Sequence, residues 1–283
     1  MTCAAALTVL CNLSSKRNIL LFMRTLLIIV LAGVLLSVGL FAQELRVASY
    51  NMERLGQEKK DYPTLSKVIS SFDVIAAEEV MNAQGPTDVL AQLGTGWSDY
   101  VSPEGEGSSS YQEHFGFFYD SDVELVKVLG EYPNPHEFFR PPFGVQFRVK
   151  TTRFTFNLVA CHIVYGSTAS ARKAEVAHLG AVYRYFEDQT GDSKDTIIAG
   201  DFNDDKAADF ESLAAVGERD VIPKEGTTIG TKGPDHWYDH LFVPGAMQSR
   251  VEKADADYWT TDYVSSRRNE SDHFPVYVLL RVN

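Results

Sequence analysis

Cysteine is scarce in this chain of 283 residues, which contains only Cys3, Cys11 and Cys161. If the N-terminal leader predicted below is removed, Cys161 is the one cysteine left, and an internal disulfide is excluded. The sequence also lacks clustered cysteines and an HExxH motif, so the usual ligand sets of a zinc site are missing. Stability must therefore come from a hydrophobic core, which some 240 residues are enough to bury.

Positive charge is also in short supply. The formal net charge is -12, from 26 basic and 38 acidic side chains. No cluster of lysines and arginines lies near the motifs described below, which disfavours a pocket for several phosphates. The acidic balance also disfavours binding of nucleic acid by a broad basic surface. It does not exclude an enzyme whose metal ion supplies positive charge only at the reacting phosphate.

Only one long apolar run occurs, from Leu26 to Leu40, and three basic residues precede it. This order predicts a signal peptide in residues 1–42, with Met23 as a second candidate start. Its removal leaves 23 basic and 38 acidic side chains, a net charge near -15, and one domain over residues 43–283. The alternative is a membrane anchor, but the run falls short of the roughly 20 apolar residues that span a bilayer.

The remaining chain has no linker, repeat or low-complexity tract. Apolar residues at three- and four-residue spacing predict a helix from Thr168 to Phe186 that lies on a sheet. Runs bounded by Gly, Pro, Asn and Asp predict nine strands. They are Leu45 to Tyr50, Val74 to Val80, His114 to Tyr119, Val123 to Val128, Gly144 to Lys150, Phe154 to His162, Thr196 to Ala199, His240 to Val243 and Pro275 to Arg281. Two packed sheets covered by helices would bury these runs.

Polar residues repeatedly adjoin the ends of these strands, as expected for a catalytic cleft. Their carboxylate and amide oxygens are hard ligands that suit Mg2+, Mn2+ or Ca2+. Taken singly, each has an ordinary explanation as a turn former, a helix cap or a surface histidine. The set consists of Asn51, Glu79, His162, Asp201, Asn203, Asp239, Asp272 and His273.

The order of six motifs resembles the endonuclease/exonuclease/phosphatase superfamily and covers nearly all of residues 45 to 282. They are Ala48-Ser49-Tyr50-Asn51-Met52, Asp73 to Val80, His162, Gly200-Asp201-Phe202-Asn203, Tyr238-Asp239-His240 and Ser271-Asp272-His273. The resemblance implies an α+β fold, a four-layer α/β/β/α sandwich in which two mixed β-sheets pack face to face between helices. It also implies a metal-dependent hydrolase of phosphate esters, while the substrate must be argued separately because one fold serves many functions.

The resemblance further implies roles for individual residues. Glu79, with Asn51 beside it and Asp272 available, would bind a divalent metal, Mg2+ or Mn2+, with Ca2+ as a further candidate. His273 would be the general base, oriented by Asp239 or Asp272. His162, paired with Glu113, would donate to a phosphoryl oxygen or to the departing oxygen. Asp201 and Asn203 would hold the phosphate and the attacking water.

A narrower resemblance is to deoxyribonuclease I. It rests on Tyr111-Gln112-Glu113-His114-Phe115 and on the loop Phe139-Arg140-Pro141-Pro142-Phe143. It implies that Tyr111 and Arg140 contact DNA in the minor groove, with Asn203 and Tyr238 also at the substrate. Met81 and Ala208 depart from that pattern, where an arginine and a tyrosine are usual, so DNA contact must differ. Glu78 stands where glutamine is common, and Glu79 is kept as the ligand.

The sequence thus predicts an exported phosphodiesterase, most simply a DNA endonuclease, that acts as a monomer without a stable protein partner. After signal removal no membrane association is expected, and the disulfide-free chain favours a bacterial secreted or periplasmic enzyme. A secreted sphingomyelinase-like phospholipase is the main alternative, although no long aromatic insert is visible. Apurinic repair is a weaker alternative. A catalytically silent adhesion or accessory protein would have lost a catalytic residue, and all are present.

Overall fold

The computed structural model describes residues 43–108, 111–166, 168–191 and 195–283. The predicted leader, residues 1–42, lies outside these ranges. Gln43–Asn283 forms one unit. Among the described helices, none combines the length and the apolar character that crossing a membrane would require.

Strands dominate the described chain, with short helices between them. In chain order the elements are β1 (Glu44–Leu55), α1 (Tyr62–Ile69), β2 (Val74–Val80), α2 (Gln84–Leu93), β3 (Trp97–Val101), β4 (Glu106–Ser108), β5 (Tyr111–Asp120), β6 (Val123–Glu131), β7 (Phe143–Val149), β8 (Thr155–His162), α3 (Ala169–Val176), α4 (Leu179–Asp188), β9 (Thr196–Asp201), α5 (Glu211–Ala215), β10 (Glu218–Asp220), β11 (Asp239–Pro244), β12 (Val251–Ala256), α6 (Tyr263–Asn269) and β13 (Val276–Arg281). Short 3-10 helices cover Pro135–Glu137, Ala207–Phe210 and Gly245–Arg250.

The described strands form two mixed sheets. The first has the order β12-β13-β1-β2-β5-β3, with β4 added beside β5. The second has the order β10-β11-β9-β8-β7-β6. Each contains one parallel pair, β1 with β2 and β8 with β9, in otherwise antiparallel pairing.

The two sheets pack face to face, and their apolar inner faces form the central core. Val47 and Val278 of the first sheet belong to one buried cluster with Phe147 and Leu158 of the second. The outer face of the first sheet is covered by α1 and α2, and that of the second by α3 and α4. The predicted four-layer α/β/β/α arrangement is therefore confirmed, and burial of apolar side chains in three successive layers stabilises it.

The nine predicted strands are all present, with ends shifted by a few residues. The single predicted helix over 168–186 is wrong, because the chain turns at Ala177 and His178 and two helices result. The apolar period continues through this turn, with Val176 and Leu179 both buried against the sheet, so the pattern carried no signal of a break. Four strands were not predicted, namely β3, β4, β10 and β12, which are short or rich in polar residues.

Candidate active site

A cleft of about 510 Å³ lies where strand ends of both sheets meet. The ends of β8 and β9 approach it from the second sheet, and the C-terminal ends of β1 and β2 and the segment before β13 approach it from the first. Parallel neighbours end at the same edge, so the motif residues that follow them converge there. Seven of the predicted site residues line the cleft, namely Glu79, His162, Asp201, Asn203, Tyr238, Asp272 and His273.

His162 ends β8 and pairs with a carboxylate from the other sheet. Its Nδ1 lies 2.5 Å from Oε1 of Glu113, which is in β5, and both side chains are buried. Burial raises the pKa of Glu113, but His162 and Arg140 outweigh that effect and hold the pKa below its usual value. A carboxylate at Nδ1 fixes the imidazole orientation and leaves Nε2 for chemistry.

Arg140 does not occupy the position expected of a residue that reaches into DNA. Its side chain is only 6% exposed, and it donates from Nε to the carbonyl of His162 and from Nη2 to the carbonyl of Ile163, at 2.9 and 3.0 Å. Nε also lies 3.4 Å from Oε1 of Glu113. In this structure the guanidinium supports the backbone around His162, and the contact of Arg140 with substrate stays a prediction.

His273 also pairs with a carboxylate, but here the histidine adjoins the first sheet and the carboxylate belongs to the second. It precedes β13 of the first sheet, and its Nδ1 lies 2.8 Å from Oδ2 of Asp239, which begins β11 of the second. Thr227 Oγ1 donates to the same oxygen at 2.7 Å. Burial lowers the pKa of His273, but the carboxylates of Asp239 and Asp201 outweigh it, so the pKa is well above the ordinary value.

Asp201 lies between the two histidines. Its Oδ2 is 3.6 Å from Nε2 of His162 and 3.6 Å from Nε2 of His273. Burial raises the pKa of Asp201, and the charge of His273 partly opposes the rise. The preceding Gly200 has a φ of +155°, and a Cβ there would lie 1.8 Å from the carbonyl oxygen of Cys161. Only glycine permits this close approach of β9 to β8.

Asn203 follows in the same loop with a φ of +50°. Its Nδ2 donates to the carbonyl of Ile163 at 2.9 Å, and its backbone N–H donates to Oδ1 of Asp201 at 2.9 Å. One amide hydrogen is thus committed to the protein, and one remains for a substrate in the cleft. The loop connects the end of β9 firmly to the residues after β8.

Glu79 and Asn51 lie together where the ladder between β1 and β2 is interrupted. Asn51 Nδ2 donates to Glu79 Oε1 at 3.3 Å, and the Arg54 N–H and the Tyr111 hydroxyl donate to Oε2 at 3.2 and 2.9 Å. Glu79 has a φ of +58°, which a non-glycine residue adopts only at a local cost in energy. This bulge turns Glu79 into the cleft, while Glu78 stays buried and accepts from Ser49 Oγ at 3.0 Å.

Tyr111 thus contacts the carboxylate of Glu79 rather than open solvent. Burial, and then the charge of Glu79, raise the pKa of its phenol. The Arg54 guanidinium lies 5.7 Å from the centroid of the Tyr111 ring. Both residues flank the Glu79 side of the cleft, and Arg54 lines it.

Two sets of three side chains bring potential ligand atoms within 4.8 Å of one another in the described residues. One set is Glu79, Glu113 and His162, and the other is Asp201, Asp239 and His273. Asp272 belongs to neither, and its Oδ1 lies 3.8 Å from Nε2 of His273. Glu79 and Asp272 therefore line one cleft without belonging together to either of these ligand sets, and the metal-binding roles of Glu79, Asn51 and Asp272 stay a prediction. Clustered carboxylates of this kind fit a hard divalent cation.

Several cleft residues were missed by the sequence reasoning. Glu53, Arg54, Tyr165, His236 and Arg267 all line the cleft. Glu53 and Arg54 follow Asn51 closely in sequence, and Tyr165 follows His162 by three positions. Their nearness to these motifs was the sequence signal that could have identified them as cleft residues. Tyr238, which was predicted, lies parallel to the His236 ring with a centroid separation of 4.6 Å.

Glu175 was also missed, because it is far in sequence from the motifs. It is buried in α3, and its two oxygens accept from the backbone N–H groups of Phe139 and Val164 at 2.7 and 2.9 Å. These groups lie in the Arg140 loop and in the segment after His162. One carboxylate therefore joins the two segments that hold His162.

Comparison with known proteins supports the fold and the family. No family model matches the chain. The structure of an endonuclease/exonuclease/phosphatase family protein from Bacteroides thetaiotaomicron superposes with a TM-score of 0.61 at 21% identity, over 84% of this chain and 97% of that one. The fold is thus that of this superfamily.

The curated relatives are more specific. A deoxyribonuclease from Thioalkalivibrio sp. (strain K90mix) is 32% identical over 263 residues, which cover 85% of this chain and 72% of the relative. Deoxyribonuclease-1 of Bos taurus is 28% identical over 285 residues, covering 90% and 97%. The chain belongs to the deoxyribonuclease family and is a hydrolase of phosphodiester bonds.

Proposed function

We propose that this protein is an exported endonuclease that hydrolyses DNA with the help of a divalent metal ion. One observation carries the chemical part of the proposal. Two histidines, each bonded through Nδ1 to a carboxylate, have their Nε2 atoms 3.6 Å from the same oxygen of Asp201. Two ring nitrogens on either side of one point are an arrangement for an acid and a base at a single phosphate.

In its neutral form, His273 accepts a proton from the attacking water at Nε2, and Asp239 at Nδ1 stabilises the imidazolium that forms. The water oxygen bonds to phosphorus as the bond from phosphorus to the 3'-oxygen breaks. His162 Nε2 delivers a proton to the departing oxygen, which becomes a 3'-hydroxyl, and the other fragment carries a 5'-phosphate. Asn203, through its remaining amide hydrogen, stabilises the charge that develops on the phosphoryl oxygens.

Glu79 with Asn51 would hold the metal ion, and Asp272 lines the same cleft. When bound, the ion supplies positive charge that offsets the charge developing at the phosphate. The residues fit a hard cation because they offer carboxylate and amide oxygens, and Mg2+ or Mn2+ is the candidate, with Ca2+ as a further one. Neutralisation of the surrounding carboxylates would also admit an anionic substrate.

Three considerations support DNA as the substrate. The curated relatives above are named deoxyribonucleases. Arg54 and Arg267 line the cleft and offer positive charge to a backbone, although the chain as a whole is acidic. Tyr111 and Tyr238, which flank or line the cleft, are aromatic surfaces for sugars or bases. Residues 1–42 would act as a cleaved leader, and the mature protein would be a secreted or periplasmic monomer.

The test of activity uses residues 43–283 with supercoiled plasmid in Mg2+, Mn2+ or EDTA, beside a sphingomyelin assay. Nicking that requires metal and is lost in His162→Ala is the expected result. His136→Ala is the matched control, since His136 is exposed and does not line the cleft. An intact plasmid with hydrolysed sphingomyelin would move the enzyme to the phospholipase alternative.

Export is tested separately by expressing the full chain in a bacterial host. The expected product is found in the periplasm or medium, and mass spectrometry shows a chain that begins near Gln43. Full-length protein in the membrane fraction would instead favour the anchor.

A further inference from the structure

Tyr165 is an exposed aromatic side chain at the edge of the cleft. Among the large apolar side chains exposed in the described part of the chain, it has the highest exposure, 63%, and it alone lines the cleft. Three positions separate it from His162, so it lies on the side of the cleft where the departing oxygen would be protonated. A lone exposed tyrosine needs no explanation, but an exposed tyrosine next to reacting groups does.

Arg172 of α3 holds Tyr165 in place. Its Nη1 donates to the Tyr165 carbonyl at 2.8 Å, and its guanidinium carbon lies 5.7 Å from the ring centroid. Its Nε is buried and has no hydrogen-bond partner in the structure. A buried N–H without an acceptor is uncommon in folded proteins, because the loss of hydration is not compensated. Arg172 therefore places a guanidinium cation beside an aromatic surface.

This pair has the two elements that single-stranded nucleic acid requires, an aromatic face for a base and a cation for the backbone. A paired base in a duplex already has both faces covered by its neighbours, so the Tyr165 ring could stack only on an unpaired base. The acidic chain also lacks the positive charge needed to bind the phosphate backbone of nucleic acid strongly. Contacts that do not depend on charge, such as stacking, are therefore more important for affinity.

We propose that Tyr165 and Arg172 form a nucleotide subsite that binds an unpaired base, and its phosphate, on the His162 side of the scissile bond. The inference rests on the proposed function, because it defines which form of DNA the same cleft prefers. The subsite takes the place of contacts that Met81 and Ala208 cannot make. Its consequence is that frayed, gapped or single-stranded DNA binds more tightly than a continuous duplex of equal length.

The test measures binding of the full chain to a fluorescent 12-nucleotide strand and to the same strand in a duplex, by anisotropy in EDTA. Stacking on Tyr165 and contact with Arg172 need no metal, so EDTA prevents hydrolysis without removing the subsite. We expect Tyr165→Ala to weaken single-strand binding about tenfold and duplex binding less than twofold. Tyr165→Phe, which keeps the ring, should bind the single strand within about twofold of the unmodified protein.

Arg172→Ala should also weaken single-strand binding and flatten its dependence on salt. The matched control is Arg250→Ala, which removes an arginine that lies 5.2 Å from the ring of Phe154 and does not line the cleft. Thermal unfolding of each variant checks that it is folded. If Tyr165→Ala misfolds, a Tyr165→Leu variant replaces it and should show the same loss.

Three results would overturn the subsite. They are no single-strand binding by the unmodified protein, equal losses on single strand and duplex, or weak binding by Tyr165→Phe. The plasmid assay separates this inference from the proposed function. If the protein nicks plasmid but its binding to single strands does not depend on Tyr165, only the subsite is refuted. If single-strand binding depends on Tyr165 but plasmid is not nicked, only the endonuclease proposal is refuted.

Discussion

The two histidines of the cleft are each hydrogen-bonded through Nδ1 to a carboxylate, but the carboxylates differ in their other neighbours. His162 from the second sheet pairs with Glu113 of the first, and His273 next to the first sheet pairs with Asp239 of the second. Each histidine–carboxylate pair thus joins one residue from each side of the interface between the sheets. Both pairs form only when the two sheets are packed in this register, which couples the chemistry to the fold.

The difference lies in what else contacts each carboxylate. Glu113 also faces the Arg140 guanidinium at 3.4 Å, whereas Asp239 accepts from the neutral hydroxyl of Thr227. Glu113 therefore faces a guanidinium as well as a histidine and has a lowered pKa, while His273 faces several carboxylates and has a raised pKa. Similar hydrogen-bond geometry thus occurs beside a fixed cation, Arg140, in one pair and among several carboxylates in the other.

Removal of either ring should have the largest effect on activity. We expect His162→Ala and His273→Ala each to lower kcat/KM on plasmid DNA by about 10³-fold or more, since general acid and base groups contribute about 10²–10⁴-fold each. The double variant should lose little beyond the worse single variant, because the two rings act on one phosphate. A loss below about tenfold in either single variant would contradict the shared role.

Replacing each of the two carboxylates by its amide should show how the two histidine–carboxylate pairs differ. Asp239→Asn and Glu113→Gln should each lower kcat by about 10²-fold, because the imidazole orientation is lost. Glu113→Gln should also lower the free energy of unfolding by about 3 kcal/mol, more than Asp239→Asn does, because it removes the carboxylate that pairs with the buried Arg140 guanidinium. Urea unfolding of both variants measures this. Equal stability of the two would show that Arg140 does not distinguish the pairs.

A third buried carboxyl, Glu218, offers the contrast of a group that burial affects more than its cationic neighbour Arg219 does. Neither of its oxygens has a hydrogen-bond partner, and burial, with Glu187 nearby, raises its pKa to about 9. Between an unfolded-state pKa near 4.5 and that value, the folded protein binds more protons than the unfolded one. The free energy of unfolding contributed by this group therefore falls as pH rises from about 5 to 9.

Glu218→Gln should remove this dependence. We expect it to raise the free energy of unfolding at pH 7 by on the order of 2 kcal/mol, with a smaller gain at pH 5. Glu252→Gln is the control, because that glutamate is exposed and pairs with Arg281 at the surface. A gain of the same size at pH 5 and pH 8 would show that Glu218 does not titrate in this range.

The smallest effect is expected from a change at Glu175, which joins the two segments that hold His162. Glu175→Gln keeps one acceptor for the two backbone N–H groups and loses the other, so the loops around His162 should loosen. We expect kcat to fall about tenfold with KM nearly unchanged, while Glu211→Gln, an exposed change on α5, has no effect. Unaltered kcat in Glu175→Gln would indicate that Arg140 and Glu113 suffice to hold His162 in place.

Much of the fold was predictable from local pattern. Apolar runs of strand length located nine strands, because a buried strand must be apolar wherever it faces a layer. The turn at Ala177 was not predictable, since the apolar residues on both sides continue one period. The short edge strands were missed because their side chains are largely polar and their pairing, rather than their own composition, makes them strands.

The sequence by itself located seven of the residues that line the cleft, because polar side chains placed at the ends of buried strands must gather at a sheet edge. Only the tertiary structure decided the pairings, since Glu113 and His162 are 49 residues apart, and Asp239 and His273 are 34 apart. It also turned Arg140 inward. Those outcomes depend on how two sheets pack face to face, which no local pattern encodes.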